Sequence, residues 1–312
     1  MALGAEIATA ETVSTYREMC DASAAVALDK DHFIVADDEL NVLRIYRRGQ
    51  PASLRQVELS KFLGTKPTKE SDIEGAARVG DTIYWISSHG TNSEGEVQDR
   101  RRKFFATELA AASPPTVNPV GKSYSKLVAD LTSDPKLTAY SLGDAATKPP
   151  KTKGALNIEG LADFGDGKLL IGFRNPLPGN KALLIPLENP GELVKNDDNK
   201  DVRARFGTPF ELDLGGLGVR SVERIGTGYL IVAGPYDAQG EFKLLRWSGK
   251  DGHVDPVDVP LLKGLYPEAL FAIPDTGDVQ ILSDDGKFPI DGGDCKDAPR
   301  AKQEFRSIVL KP

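Results

Sequence analysis

The stretch EGLADFGDGKLLIGFRN, Glu159 to Asn175, decides the fold. It opens on a carboxylate, alternates apolar and small residues, turns at Gly165–Asp166–Gly167, and ends in a strongly apolar run. Such a pattern reads as two antiparallel strands joined by a tight turn, because alternation marks a strand with one covered face. Four further segments share this grammar. They are SAAVALDKDHFIVADDE from Ser23, EGAARVGDTIYWISSHG from Glu74, RSVERIGTGYLIVAGPY from Arg220 and EALFAIPDTGDVQILSDDG from Glu268. In the first four, thirteen residues separate the start from a small residue at the second strand's end: Ala36, Ser87, Gly172 and Ala233. The fifth is two residues longer, its PDTG turn absorbing the difference, and ends at Ser283.

The turns at Asp31, Gly80–Asp81, Gly165–Asp166–Gly167 and Gly226–Thr227–Gly228 supply residue types that tolerate positive φ. A further apolar strand follows each copy: VLRIYRRG, KFFATEL, KALLIPL, FKLLRWSG and FRSIVLKP. Repeats beginning 51, 85, 61 and 48 residues apart, each with three or four strands, predict an all-β five-bladed propeller. A β-sandwich ranks second, because it would not repeat its pattern this way. The long second interval leaves about 35 residues, Ala111 to Pro150, in which Tyr124, Leu127, Val128 and Leu131 fall at helical spacing. This segment reads as a helical insertion in one propeller domain spanning 1–312, a sixth blade being the alternative. KNDDNKD, Lys195 to Asp201, reads as a solvated loop.

Of 312 residues, 40% are hydrophobic and 27% charged, which is enough apolar material for a large core and excludes a disordered chain. The net charge of −7 argues against nucleic acid as the main partner. No apolar run is long enough to span a membrane as a helix. The remaining partner class is a small-molecule ligand or substrate, with a monomer expected. One basic run, QDRRRKFF from Gln98, reads as a solvated edge.

Two cysteines stand near opposite ends, Cys20 and Cys295, without the neighbours a zinc site needs. Either they are unrelated buried thiols or they form one disulfide. Ring closure favours the bond, since it brings the region before blade 1 against blade 5. Closing a 275-residue loop would be worth roughly 5 kcal/mol by chain entropy. Such a bond implies a secreted or periplasmic location; without it the cytoplasm is the expectation. MALGAEIATAE has no basic region and carries Glu6 and Glu11, so it does not read as a signal peptide.

Several blocks together resemble the largely bacterial family catalogued as domain of unknown function 3616. They are CDASAAVAL, VADDELNVLRIYR, ESDIEGAARVGDTIYWISSHG, GALNIEGLA, LLIGFRNPL, DLGGLGVRS, YLIVAGPYD, RWSG, PEALF and ILSDDG. The resemblance runs from Cys20 to Leu310 and carries no established activity. The D-x-E-G element at Asp72 to Gly75 is also similar to elements of esterase-like phytase propellers.

In a propeller, the strand starts and the second-strand ends converge on one channel mouth. The starts are Ser23, Glu74, Glu159, Arg220 and Glu268; two residues earlier stand Asp21, Asp72, Asn157, Gly218 and Tyr266. The second-strand ends add Asp37 and Asp38, Ser88 and His89, Arg174 and Asn175, Pro235 and Tyr236, and Asp284 and Asp285. Converging carboxylates repel unless something neutralises them. Calcium is one answer, with Asp37, Asp72, Glu74, Asn157, Glu159, Glu268 and Asp284 as candidate ligands. An ion-pair network around Arg174 and Arg220 is the other. The metal answer predicts hydrolysis of phosphate or carboxylic esters, with Arg174 and Arg220 on anionic oxygens and His89 as acid or base. Asn175 and Tyr236 would then contact the substrate. The alternative is a propeller that binds a small ligand or a protein without catalysis. No G-x-S-x-G elbow, P-loop or EF-hand loop is present.

Overall fold

The computed structural model describes residues 6–7, 9–195, 201–237 and 240–312, and side chains from residue 12 onward. The expected loop at KNDDNKD therefore falls largely outside the described residues. The chain folds as a five-bladed β-propeller, each blade built on four antiparallel strands ordered outward from the channel, with Glu6–Ile7 added to the outer edge of blade 4 as a fifth strand, parallel to Val254–Asp258. The innermost strands are Ala22–Ala27, Ile73–Val79, Asn157–Gly165, Gly218–Ile225 and Pro267–Ala272. Each packs against the innermost strand on either side, so the five close a ring. All five begin one or two residues before the starts that the repeat had aligned.

Five apolar clusters fill the gaps between neighbouring blades. The gap between blades 5 and 1 is the aromatic one, holding Tyr16, Phe33, Tyr46, Phe271 and Phe305. Its rings stack or meet edge-on at 5.0 to 5.6 Å, the separations that aromatic quadrupoles favour. This is also where the ring shuts. Blade 5 takes its outermost strand, Thr9–Arg17, from the start of the chain and pairs it with Glu304–Lys311. Pairing of terminal strands thus supplies the expected closure, and the Cys20–Cys295 disulfide, with Cα atoms 6.0 Å apart, lies at the same seam.

Three local readings change. Thr116–Tyr124 is the fourth strand of blade 2, paired with Phe104–Ala110. The insertion proper therefore starts after Tyr124, whose hydroxyl donates to Asp130 instead of opening the helix. Pro119 and Gly121 hide this strand from periodicity, as residues of an edge strand often do. Helix Leu127–Ser133 then buries Leu127, Val128 and Leu131 against Tyr84, Phe104 and Phe173, covering the gap between blades 2 and 3. Asp31 does not provide a positive φ; the first turn is closed by the Asp29 carboxylate, which accepts from the N–H groups of Asp31 and His32 at 2.7 Å each. QDRRRKFF is no solvated edge, since Phe104–Ala110 is paired on both sides and Arg101 ion-pairs inward with Glu70.

Candidate functional site

Each innermost strand carries a β-bulge against its partner, and every bulge falls at the aligned repeat start. The register skips Ser23, Glu74, Glu159, Arg220 and Glu268 in blades 1 to 5. A bulge turns one side chain out of the pleat and leaves it unopposed. Repeated five times, it collects five polar side chains at the mouth that a regular ladder would have distributed between faces. The polar residues at these positions are thus bound to a backbone device. Ser23 stitches the first gap by donating to the carbonyls of Ala36 at 3.2 Å and Ile73 at 2.6 Å.

The mouth divides electrostatically. Blades 3 to 5 supply a buried ion-pair network. Arg174 Nη1 lies 2.7 Å from Glu159 Oε1, Arg220 Nε lies 2.9 Å from Glu159 Oε2, and Arg220 Nη2 pairs with Glu268. Gly218 is the only residue type that fits beside this network, as a Cβ there would stand 1.9 Å from the Arg174 carbonyl oxygen. Burial, with Arg174 adding to it, lowers the Arg220 guanidinium to about 10, which leaves it charged at neutral pH. Its Nη1 is sealed from solvent and has no hydrogen-bond partner among the described residues.

The other half is acidic. Asp21, Asp37 and Asp38 bring one carboxylate oxygen each within 4.8 Å of one another, and Asp38, Asp72 and Glu74 do the same, so Asp38 is shared. Asp284 joins Asp21 across an isolated bridge. Gly286 admits this packing, since a Cβ there would stand 1.8 Å from Oδ1 of Asp21. Burial, reinforced by Asp284 and Asp37, raises Asp21 to about 8, and burial raises Asp37 to about 7. Asp38 is pushed well up by burial and then Glu74, and Glu74 by burial and then Glu159. Asp38 Oδ1 is sealed and accepts no hydrogen bond among the described residues. Glu74, only 8% exposed, likewise has no hydrogen bond or ion pair there. Asp72 is better served, with Arg101 Nε at 3.7 Å and the Ser88 hydroxyl as donor.

The sequence-derived ligand set is therefore split. Asp37, Asp72, Glu74 and Asp284 fall in the acidic half, whereas Glu159 and Glu268 are held by arginines. Asn157 lies beside them with Oδ1 buried and unpartnered among the described residues. Asp21 and Asp38 belong at the centre of the candidate site, and only the combined repeat alignment and fold reveals it. His89 is fully buried, its Nδ1 2.7 Å from the Ser87 carbonyl, and burial lowers it to about 4. Asn175 spends both ends of its amide on the insertion, donating to Thr152 O at 2.7 Å and accepting from Gly154 N at 3.2 Å. Tyr236 is partly buried in the turn after Gly228–Gly234.

The channel's far end holds a cavity of about 690 Å³ lined by Arg78, Asp163, Glu223 and Arg224. Burial raises Glu223 from 4.5 to about 7, against the lowering effect of Ala272 N–H, which donates at 3.1 Å. A carboxyl raised by folding stabilises the fold in its protonated form. That contribution is complete below its unfolded value and is lost as pH rises through about 7. Glu223→Gln should therefore gain on wild type by roughly 2–3 kcal/mol between pH 5 and pH 8. Urea midpoints across that range check it; a constant difference would mean Glu223 does not titrate this way.

The family described as Protein of unknown function (DUF3616) matches residues 21–114 and 106–259. No curated protein matches the chain. Among solved structures, Myxococcus xanthus glutaminyl cyclase is similar at 13% identity and a TM-score of 0.52, covering 97% of this chain and 96% of that one. The PQQ-bound aldose sugar dehydrogenase of Streptomyces coelicolor is similar at 12% identity and TM-score 0.44, covering 96% and 98%. Aleuria aurantia lectin is similar at 11% identity and TM-score 0.38, covering 87% and 69%. At such identities the likeness concerns fold alone. No helix among the described residues is long and apolar enough to cross a membrane.

Proposed function

The chain belongs to the Protein of unknown function (DUF3616) family, and from that premise we propose that its channel mouth is a calcium centre acting on anionic esters. The carrying observation is Asp38, whose carboxylate belongs to both acidic triads and keeps a buried oxygen without a hydrogen-bond partner. A set of hard carboxylate oxygens suits calcium, and a divalent cation would offset the burial and the mutual repulsion that raise the pKa values of Asp21, Asp38 and Glu74. Asp21, Asp37, Asp38, Asp72 and Glu74 would hold it. When bound, the cation supplies Lewis acidity toward an ester oxygen and acidifies a water. The propeller's own residues provide a rigid frame, and the Arg174–Glu159–Arg220–Glu268 network fixes the opposite wall.

A second reading, binding without turnover, is favoured by the state of the expected catalytic groups. His89 is sealed, and both arginines are engaged by carboxylates. The disulfide supports placing the protein outside the reducing cytoplasm under either reading.

Calcium at a hundredfold excess over its Kd should add about 2.7 kcal/mol, a rise of roughly 5 °C in melting temperature. Asp38→Asn should abolish that response while leaving the calcium-free protein at least as stable, because a repulsive charge is gone. Melting in EDTA and in added calcium checks both; equal shifts in wild type and variant would reject the site. Turnover of p-nitrophenyl phosphate or p-nitrophenyl acetate that needs calcium and Asp38 would then favour the hydrolase over the binder.

A further inference from the structure

The acidic half of the mouth is two groups, not one. Asp21, Asp37 and Asp38 bring one oxygen each within 4.8 Å of one another, and so do Asp38, Asp72 and Glu74, but the five do not join into a single set at that separation. Calcium holds its oxygens at about 2.4 Å, so two ligands of one ion stand no more than about 4.8 Å apart. Each triad therefore fits one ion, and one ion cannot take all five carboxylates as they stand. A divalent ion in either triad would leave the two unshared carboxylates of the other facing each other.

The carboxylates are presented as ligands are. Asp37 is fixed through Oδ1 alone, which accepts from Glu39 N at 3.2 Å and Leu40 N at 3.1 Å. Asp72 is fixed through Oδ2 alone, by the Ser88 hydroxyl and by Arg101 Nε. Each is thus oriented from one side and leaves its second oxygen without a partner among the described residues, as outer contacts orient metal-binding carboxylates. Glu74 and Asp21, both 8% exposed, take no N–H or hydroxyl donor there, and each aims an oxygen into its own triad. Asp21 has the carboxyl of Asp284 beside it, and Asp284 spends Oδ1 on the Gly286 N–H at 2.9 Å.

The triads differ in place and access. The first lies at the ring seam, where Asp21 follows Cys20 of the disulfide and bridges to Asp284 of blade 5. Its Asp21 and Asp37 are buried, and only Asp38 is open in part. The second joins blades 1 and 2, with Asp38 and Asp72 both partly open. Asp38 belongs to both, and a carboxylate has an oxygen for each of two ions.

We propose that the mouth takes two calcium ions with Asp38 between them: a structural ion on Asp21, Asp37 and Asp38 that locks the seam, and an open ion on Asp38, Asp72 and Glu74 that is left to meet a ligand. This rests on the cation reading above and divides that centre by role. Three carboxylates fill part of a shell of roughly six to eight oxygens, so the open ion keeps positions that a ligand can take from water.

Calcium bound per chain, measured on the intact protein by equilibrium dialysis with radioactive calcium, is the test. Wild type should hold two ions, Asp21→Asn one, Glu74→Gln one and Asp38→Asn none. Each variant removes a buried like charge, so its calcium-free melting temperature should not fall; should a variant fail to fold, the wild-type count still decides between two ions and one. Reducing the disulfide with dithiothreitol should weaken calcium about tenfold in Glu74→Gln, which keeps the seam ion, and less than about twofold in Asp21→Asn, which lacks it. One ion in wild type overturns the inference and leaves the cation reading standing, whereas no ion defeats both. Two ions persisting in Asp21→Asn or Glu74→Gln would place a cation elsewhere and also overturn it. Equal weakening on reduction would overturn the seam assignment.

Discussion

Arg220→Met is expected to lower the stability of the protein by about 3–5 kcal/mol, the loss typical when one partner of a buried ion pair is removed. Arg220 is the hinge of the network because it touches both Glu159 and Glu268, while Arg174 reaches only Glu159. Its removal leaves Glu268 buried with no cation, and that carboxylate is 7% exposed. Most of the loss is the cost of stranded charge, not the worth of the pair. Neutralising the stranded group with Glu268→Gln in the same chain, which leaves the Arg174–Glu159 pair in place, should therefore recover most of it. Urea unfolding of the single and double variants measures both numbers. A single-variant loss below about 1 kcal/mol would show that water or rearrangement solvates the glutamates, and the two-sided mouth would have to be redrawn.

That network also marks the boundary of what the sequence could convey. The repeat register is written in residues 23, 74, 159, 220 and 268, because a bulge recurring at one place in five blades demands a recurring pattern around it. The polarity of those positions is equally visible. What pairs with what is not, since the partners come from different blades: Arg220 of blade 4 serves glutamates of blades 3 and 5. Glu74 and Glu159 occupy equivalent places and have opposite fates, one left among carboxylates and one neutralised by two guanidiniums. Asp38 was within view as a second-strand end, yet its central place depends on Asp21 and Asp72 approaching from either side. Asn175 looks like a ligand-binding side chain until its amide is seen to be fully used.

Loss of the Cys20–Cys295 bond is expected to cost about 2–5 kcal/mol, up to the value that chain entropy assigns to so long a loop. The reason for an effect of this size is where the bond sits. A propeller has one covalently open gap, here between blades 5 and 1, and it is held by two devices: the borrowed strand Thr9–Arg17 and the disulfide. Cys20 also anchors the acidic half directly, for its carbonyl accepts the Asp285 N–H at 2.9 Å and Asp21 follows it in sequence. Asp285 in turn holds Arg306 of the inner neighbour of the borrowed strand, at 2.7 and 2.9 Å. Opening the bond therefore loosens the seam and the cation-site carboxylate of Asp21 together. The double variant Cys20→Ser, Cys295→Ser should unfold at lower urea and should bind calcium more weakly than wild type. Alkylation without reductant should label no thiol in the wild-type protein, and two once reductant is added. If the double variant keeps its urea midpoint, the strand alone closes the ring, and the covalent bond would be secondary to the ladder that Thr9–Arg17 completes.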